Sequence, residues 1–141
     1  VFPLPKNKKV QLGDILERQV EEKYTISDKL WVGHKRRKEE HKRKGNGFGY
    51  SLFNEESEYT STISARYYKD GSEILIDQKN KNPRKITPTE GKRLQGFPEN
   101  FVFPVSDAQA YKQLGNSVSV PVVRAIAHEI SRAIQEGGKW D

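Results

Sequence analysis

Four consecutive residues, Gly115-Asn116-Ser117-Val118, lie just ahead of Pro121 and put an amide, a hydroxyl and backbone groups into one short polar stretch. Between two helices, such a stretch suits a polar ligand, because side-chain donors and acceptors join backbone amides that face a helix start. A connecting loop without a ligand carries the same residue types, and spacing alone leaves both readings open. Upstream, Arg66 has the fork to donate two hydrogen bonds to guanine O6 and N7, and Lys69 reaches a base or a phosphate. Asn46 suits either an adenine edge or the cap of a preceding helix. Gly47 and the other glycines of Gly45-Asn46-Gly47-Phe48-Gly49-Tyr50 let the backbone approach another surface closely; the bland reading is an ordinary turn. The run His34 to Lys44 holds seven Lys/Arg, Arg36 and Arg37 among them, against two Glu, or +5 of the chain's net +6. It reads either as a solvated helix face or as a phosphate contact, which gives salt-dependent affinity and little sequence information.

What is lacking narrows the chemistry further. With no cysteine there is no disulfide, no thiolate zinc site and no cysteine nucleophile. His34, His41 and His128 are isolated and show no metal-ligand spacing. No catalytic residue and no metal ligand is therefore assigned.

These groups have to be positioned by a series of helix starts. Thr87-Pro88-Thr89-Glu90 is a capping box with proline at the first helical position, and Gly96 suits the stop. Ser106-Asp107-Ala108-Gln109 opens a second short helix, expected to end at Gly115, and Pro121 opens the last. That last helix carries Val123, Ile126, Ala127, Ile130 and Ile134 at helical spacing, an apolar stripe that must bury against something. Earlier, Ser27 caps a helix expected to run to Lys44 and to stop at Gly45-Asn46-Gly47. Gln11 to Glu17 suits a short helix, and Val1 to Pro5 an extended segment. Thr60 to Ile76 reads as a β-hairpin turning at Asp70-Gly71, and Lys79 to Arg84 as a polar connector with a boundary near Asn82.

Composition fits either a loose, basic fold or a chain that rests on a partner surface, and its charge either a polyanion binder or a merely soluble basic protein. In 141 residues only 33% are hydrophobic, low for a domain that must offset its chain entropy by burial, and the pI near 9.5 favours a polyanion such as nucleic acid. No apolar run approaches membrane-spanning length, and no signal peptide is visible. The chain lacks methionine even at position 1, which raises the expectation that it is a piece of something longer.

Two of these stretches also carry a family resemblance. Thr87 to Pro98, TPTEGKRLQGFP, resembles the ninth conserved motif of the DNA cytosine-5 methyltransferases, and Gln109 to Val123, QAYKQLGNSVSVPVV, resembles the tenth, in the family's order and at its separation. Glycine-rich GNGFGY followed by SARYYKDGSEILI is similar to the target-recognition region of the Dcm-like branch, whose members recognise short sites beginning CC and ending GG. The resemblance implies that Asn116, Ser117 and Val118, beside Gly115, help to form the S-adenosylmethionine pocket. It places Thr62-Ile63 where the family has a Thr-Leu dipeptide near the flipped cytosine. Arg84, Glu90 and Arg93 match the polar positions of the ninth motif; the alternative is a capped surface helix with weak ion pairs.

The implied fold is α+β: a small irregular target-recognition domain with a β-hairpin over residues 1–82. Helices over 83–141 then complete an α/β Rossmann-like methyltransferase domain. The implied partners are double-stranded DNA and an N-terminal catalytic part, either in the same polypeptide or as a separate subunit; the setting is a bacterial or phage-encoded cytoplasmic enzyme, with no membrane. The family's cysteine thiolate attacks cytosine C6 and activates C5 for methylation, while a glutamate assists at N3 of a base extruded from the stack. Without cysteine the chain alone is expected to be inactive. Its alternatives are a stand-alone DNA-binding module without catalysis and a basic protein that binds other proteins.

Overall fold

A computed structural model of the chain describes residues 9–137, and the extended segment expected over Val1–Pro5 lies outside them. Helix α1 spans Asp28–Arg43. Ser27 caps it by accepting the Leu30 N–H at 3.3 Å, Asp28 sits at the positive end, and His41, Lys42 and Arg43 sit at the negative end. Gly45, with φ of +72°, takes the chain out of the helix. The short helix expected over 11–17 is confined to a 3-10 turn at Leu12–Asp14, and Leu12 is its buried residue.

The expected hairpin over Thr60–Ile76 is not formed. Its first half is irregular and closes with one helical turn, α2, at Tyr67–Asp70; Gly71 ends it with φ of +62°. Strand β2 (Leu75–Ile76) pairs instead in parallel with β1 (Leu52–Phe53) and antiparallel with β3 (Arg84–Lys85). Tertiary packing explains the difference. Ile63, in the irregular part, and Tyr67, at the start of α2, are both buried in the core. The Tyr67 hydroxyl donates to the Ile74 carbonyl at 2.6 Å and accepts the Ile86 N–H at 3.0 Å. Buried backbone groups require partners, and this phenol supplies them where a hairpin ladder would have.

Helices α3 (Pro88–Leu94), α4 (Asp107–Asn116) and α5 (Val120–Gln135) follow, with Thr87 and Ser106 as N-caps. Thr87 and Glu90 complete the expected capping box, whereas α4 runs one residue beyond Gly115. One core joins Leu12, Tyr24, Ile63, Tyr67, Ile74, Ile76, Ile86, Tyr111 and Leu114, so it draws on both sides of Asn82. Gly91 permits the α3–α4 crossing, because a Cβ there would lie 2.7 Å from Leu114 Cδ1. The Tyr24 hydroxyl donates to Asp107 Oδ2 at 2.8 Å; burial, then that carboxylate, push the phenol up to about 12.

Helix α5 differs from the rest. Its apolar stripe, already evident in the sequence, has no cover among the described residues: Ile126 is 38% exposed, Ile130 48% and Ile134 66%. None of the helix's residues is buried.

Candidate functional site

Of the polar side chains in Thr87–Pro98, Thr87, Glu90 and Lys92 are buried and Arg93 is partly exposed. Arg84, 6% exposed, donates Nη1 to Glu90 Oε2 at 2.7 Å and Nη2 to Glu90 Oε1 at 2.8 Å, and Glu90 is 0% exposed. The same carboxylate accepts the Thr87 N–H at 2.9 Å and the Glu17 N–H at 2.9 Å. The Thr87 hydroxyl in turn donates to Glu17 Oε2 at 2.5 Å. One bidentate pair thus fastens the incoming chain, β3 and the start of α3 at a single point. Arg93 closes the other end of that contact, with Nε on Glu99 at 2.8 Å and Nη1 on the Ile15 carbonyl at 3.2 Å. The surface-helix alternative for Arg84 and Glu90 therefore gives way to a buried anchor. Sequence reasoning missed Lys92, which is buried and holds the Glu99 and Phe101 carbonyls at 2.7 and 3.1 Å.

The stretch Gly115–Val118 closes α4 and leads into α5. Gly115 and Asn116 form the last helical turn, and Ser117 is the C-cap, its hydroxyl donating to the Leu114 carbonyl at 2.7 Å. Gln95 holds the stretch from the end of α3, its carbonyl accepting the Val120 N–H at 2.9 Å and its amide donating to Leu114 at 3.3 Å. Asn116 and Val118 are exposed beside one another. Together they present a side-chain amide and an isopropyl group at the surface. On its inner side Gly115 lies directly on the backbone of Ser64 and Ala65, where any Cβ would overlap main-chain atoms.

The basic and glycine-rich segments form a second surface. Lys38 donates to the Tyr50 carbonyl at 3.1 Å and stacks over its ring at 4.2 Å, while Trp31 meets the same ring edge-on at 4.7 Å. The loop therefore folds back along α1. Asn46 is exposed, and its backbone N–H, not its side chain, closes the helix end by donating to the His41 carbonyl at 2.9 Å. Gly47 has open space around it. Thr62, Arg66 and Lys69 are all exposed, flanking the inward Ile63 and Tyr67.

Arg36 and Arg37, neighbours in the basic run, part company. Arg36 is 74% exposed and rests loosely against Glu40 at 3.6 Å. Arg37 turns back: Nη2 donates to His34 Nδ1 at 2.8 Å and to Asp70 Oδ2 at 3.3 Å. With Nδ1 accepting, His34 Nε2–H donates to the Asp70 carbonyl at 3.3 Å, so the buried imidazole is neutral and joins α1 to α2. The signal for this inward face was the helical spacing of Leu30, His34 and Arg37 inside an otherwise charged run.

Burial lowers the His34 pKa from its ordinary 6.5, outweighing the opposing pull of Asp70. Burial also acts on Asp70 and would raise it, but the Ser72 hydrogen bonds, together with nearby His34 and the Arg37 charge, prevail and hold it below 3.8. For His34, the unfolded chain takes up its proton first as pH falls below about 6.5, so stability declines from there until the folded imidazole also protonates. Asp70 adds a separate loss only below 3.8, as pH falls through its folded value. Urea midpoints measured across pH should show the upper step in the native chain and lose it in His34→Gln.

Among the described residues, no cluster of three or more His, Cys, Asp or Glu is placed to hold a metal, and no helix is long and apolar enough to cross a membrane. Residues 1–132 match the family model described as C-5 cytosine-specific DNA methylase. The type II methyltransferase M1.ScrFI of Lactococcus lactis subsp. cremoris is 65% identical over 138 residues, which cover 98% of this chain and 36% of that protein. The DNA-cytosine methyltransferase of Escherichia coli K12 is 41% identical over 150 residues, covering 91% of this chain and 32% of its own. The solved structure of Entamoeba histolytica methyltransferase EhMeth is similar with a TM-score of 0.75 at 24% identity, over 95% of this chain and 44% of that one; this likeness concerns the fold. The chain spans roughly a third of the length of these curated relatives.

Proposed function

The chain belongs to the C-5 cytosine-specific DNA methylase family, and on that premise we propose that it is the DNA-reading, cofactor-completing part of a site-specific DNA cytosine-5 methyltransferase. The observation that carries this reading is the exposed stripe of α5, Val123, Ile126, Ile130 and Ile134, which directly follows the Gly115–Val118 stretch. An exposed apolar stripe of this kind marks an interaction surface. Its occupant is a catalytic domain, which brings the nucleophilic cysteine that these 141 residues lack. Residues 83–141 are the part that rests on that domain, and residues 1–82 carry the recognition surface.

Asn116, Ser117 and Val118 hold one side of S-adenosylmethionine, which supplies the methyl group when bound. Ser117 keeps its hydroxyl hydrogen on Leu114 and so offers the ligand only a lone pair, while Asn116 offers both donor and acceptor. Thr62, Arg66 and Lys69 face a duplex of the CC…GG type, with Arg66 on a guanine edge. Asn46 and Gly47 lie against the duplex where the glycine-rich loop meets it, and Arg36 contacts phosphate. Arg37 contacts phosphate beside it through the exposed part of its guanidinium, while Nη2 stays on His34 and Asp70.

Duplex binding by the assembled enzyme tests this division. Arg66→Ala should cost about 1–3 kcal/mol on the preferred site and much less on a scrambled one, relaxing specificity. Arg36→Ala should weaken both duplexes alike and lower the salt slope by about 1. Full site preference in Arg66→Ala, or a salt slope untouched by Arg36→Ala, would overturn the respective assignment.

A further inference from the structure

Ser64 touches both proposed sites at once. Its carbonyl, with the Ala65 nitrogen, lies against Gly115 so closely that no Cβ fits between them. Its hydroxyl accepts the Arg66 N–H at 3.2 Å and donates to Glu73 Oε1 at 2.5 Å, which shapes the turn that presents Arg66. Main-chain atoms cannot swing aside as a side-chain end can, so displacement of either partner displaces the other.

A second set of contacts makes the connection stiff. Tyr67 of α2 and Tyr111 of α4 meet edge-to-face with centroids 5.1 Å apart. Both phenols bond the same residue: the Ile86 N–H donates to Tyr67 at 3.0 Å, and Tyr111 donates to the Ile86 carbonyl at 2.5 Å. The Thr62–Lys69 segment and the end of α4 are therefore two faces of one packed block.

We propose that Gly115 is a positioning residue that couples recognition of the duplex to the cofactor site through Ser64. Engagement of Arg66 by DNA sets the position of Asn116, Ser117 and Val118, and occupancy beside those residues sets the Arg66 turn in return. The inference rests on the proposed DNA and S-adenosylmethionine sites, and binding linkage requires the effect to be reciprocal.

The test is binding to the complete enzyme that contains this chain, using S-adenosylmethionine and duplexes with CC…GG or scrambled sites. The cognate duplex should raise cofactor affinity about tenfold, and the cofactor should raise duplex affinity by the same factor. In Gly115→Ala both factors should fall together towards one, and site discrimination should fall with them even when no cofactor is present. Gly91→Ala also adds a methyl to this block, but against the Leu114 side chain, and should leave the coupling intact. If Gly115→Ala fails to fold, Ser64→Ala, which removes the acceptor for Arg66, should reduce the coupling instead. Independent binding of the two ligands to the native enzyme would overturn the inference alone, as would retained coupling in the folded variant or equal loss in Gly91→Ala. A native enzyme that bound neither ligand would overturn the inference and the underlying functional reading together.

Discussion

Glu90→Ala should destabilise the chain by about 3–5 kcal/mol, the cost of leaving a buried charge without its partner. Arg84 would keep a guanidinium that is 6% exposed and lose both of its short bonds to the carboxylate. The N–H groups of Glu17 and Thr87 would lose their acceptor in the same step, each a further source of strain on the incoming chain and the α3 cap. The double replacement Arg84→Met with Glu90→Leu should recover part of the loss, since removing both ions also removes their desolvation cost. It should not recover all of it, because the two orphaned N–H groups remain. Arg93→Ala provides the contrast. Its partner Glu99 is largely exposed, so the ion pair itself is worth no more than about 1 kcal/mol. Urea midpoints of the four proteins check the ranking, and a Glu90→Ala loss no larger than that of Arg93→Ala would mean that the buried pair is not the anchor described.

The second large effect is on assembly rather than stability. Ile126→Asp combined with Ile130→Asp should change the stability of the chain itself by no more than about 0.5 kcal/mol, because both side chains are exposed. Against a catalytic domain the same pair should be severe. Fully burying an isoleucine contributes about 1.5–3 kcal/mol, and Ile126 and Ile130, 38% and 48% exposed, together have somewhat less than one whole side chain left to bury, so losing both removes about 1–3 kcal/mol before the cost of burying carboxylates. With the carboxylates added, that corresponds to a fall in affinity of at least about tenfold. Titration of the variant against the N-terminal catalytic part, alongside its unfolding curve, separates the two effects. Unchanged assembly with unchanged stability would show that α5 faces solvent in the working enzyme.

The contrast between these two predictions shows what kind of feature is legible in a sequence. Capping is local: Thr87, Pro88 and Glu90 define the start of α3 within one turn, and the structure keeps that start. The amphipathic period of α5 is local too, and so is the conclusion that it needs cover. The Arg84–Glu90 anchor is only half local. The capping box is readable, but the burial of Arg84 depends on Glu17 and the segment that precedes α1 closing over it. The β-hairpin failed because Asp70-Gly71 supports a hairpin turn and a helix stop equally well. The choice was made by Tyr67, whose phenol bonds Ile74 and Ile86 in place of a ladder. Likewise Arg37 looks like its neighbour Arg36 in the sequence, and only the fold brings His34 and Asp70 within reach of one end of its guanidinium. Gly115 stands out in the sequence only as part of a polar stretch, but its need to be glycine comes from Ser64 and Ala65, and no spacing rule links those positions.

The most direct test of the central proposal is transfer of labelled methyl groups from S-adenosylmethionine to duplexes bearing CCWGG, CCNGG or scrambled sites. The chain is assayed alone, then mixed with the N-terminal half of a related methyltransferase. The expected result is no transfer by the chain alone and transfer by the mixture confined to a CC…GG duplex. Specific duplex binding by the chain alone, with no transfer in a mixture whose two parts demonstrably associate, would contradict the account and identify a stand-alone DNA-binding module.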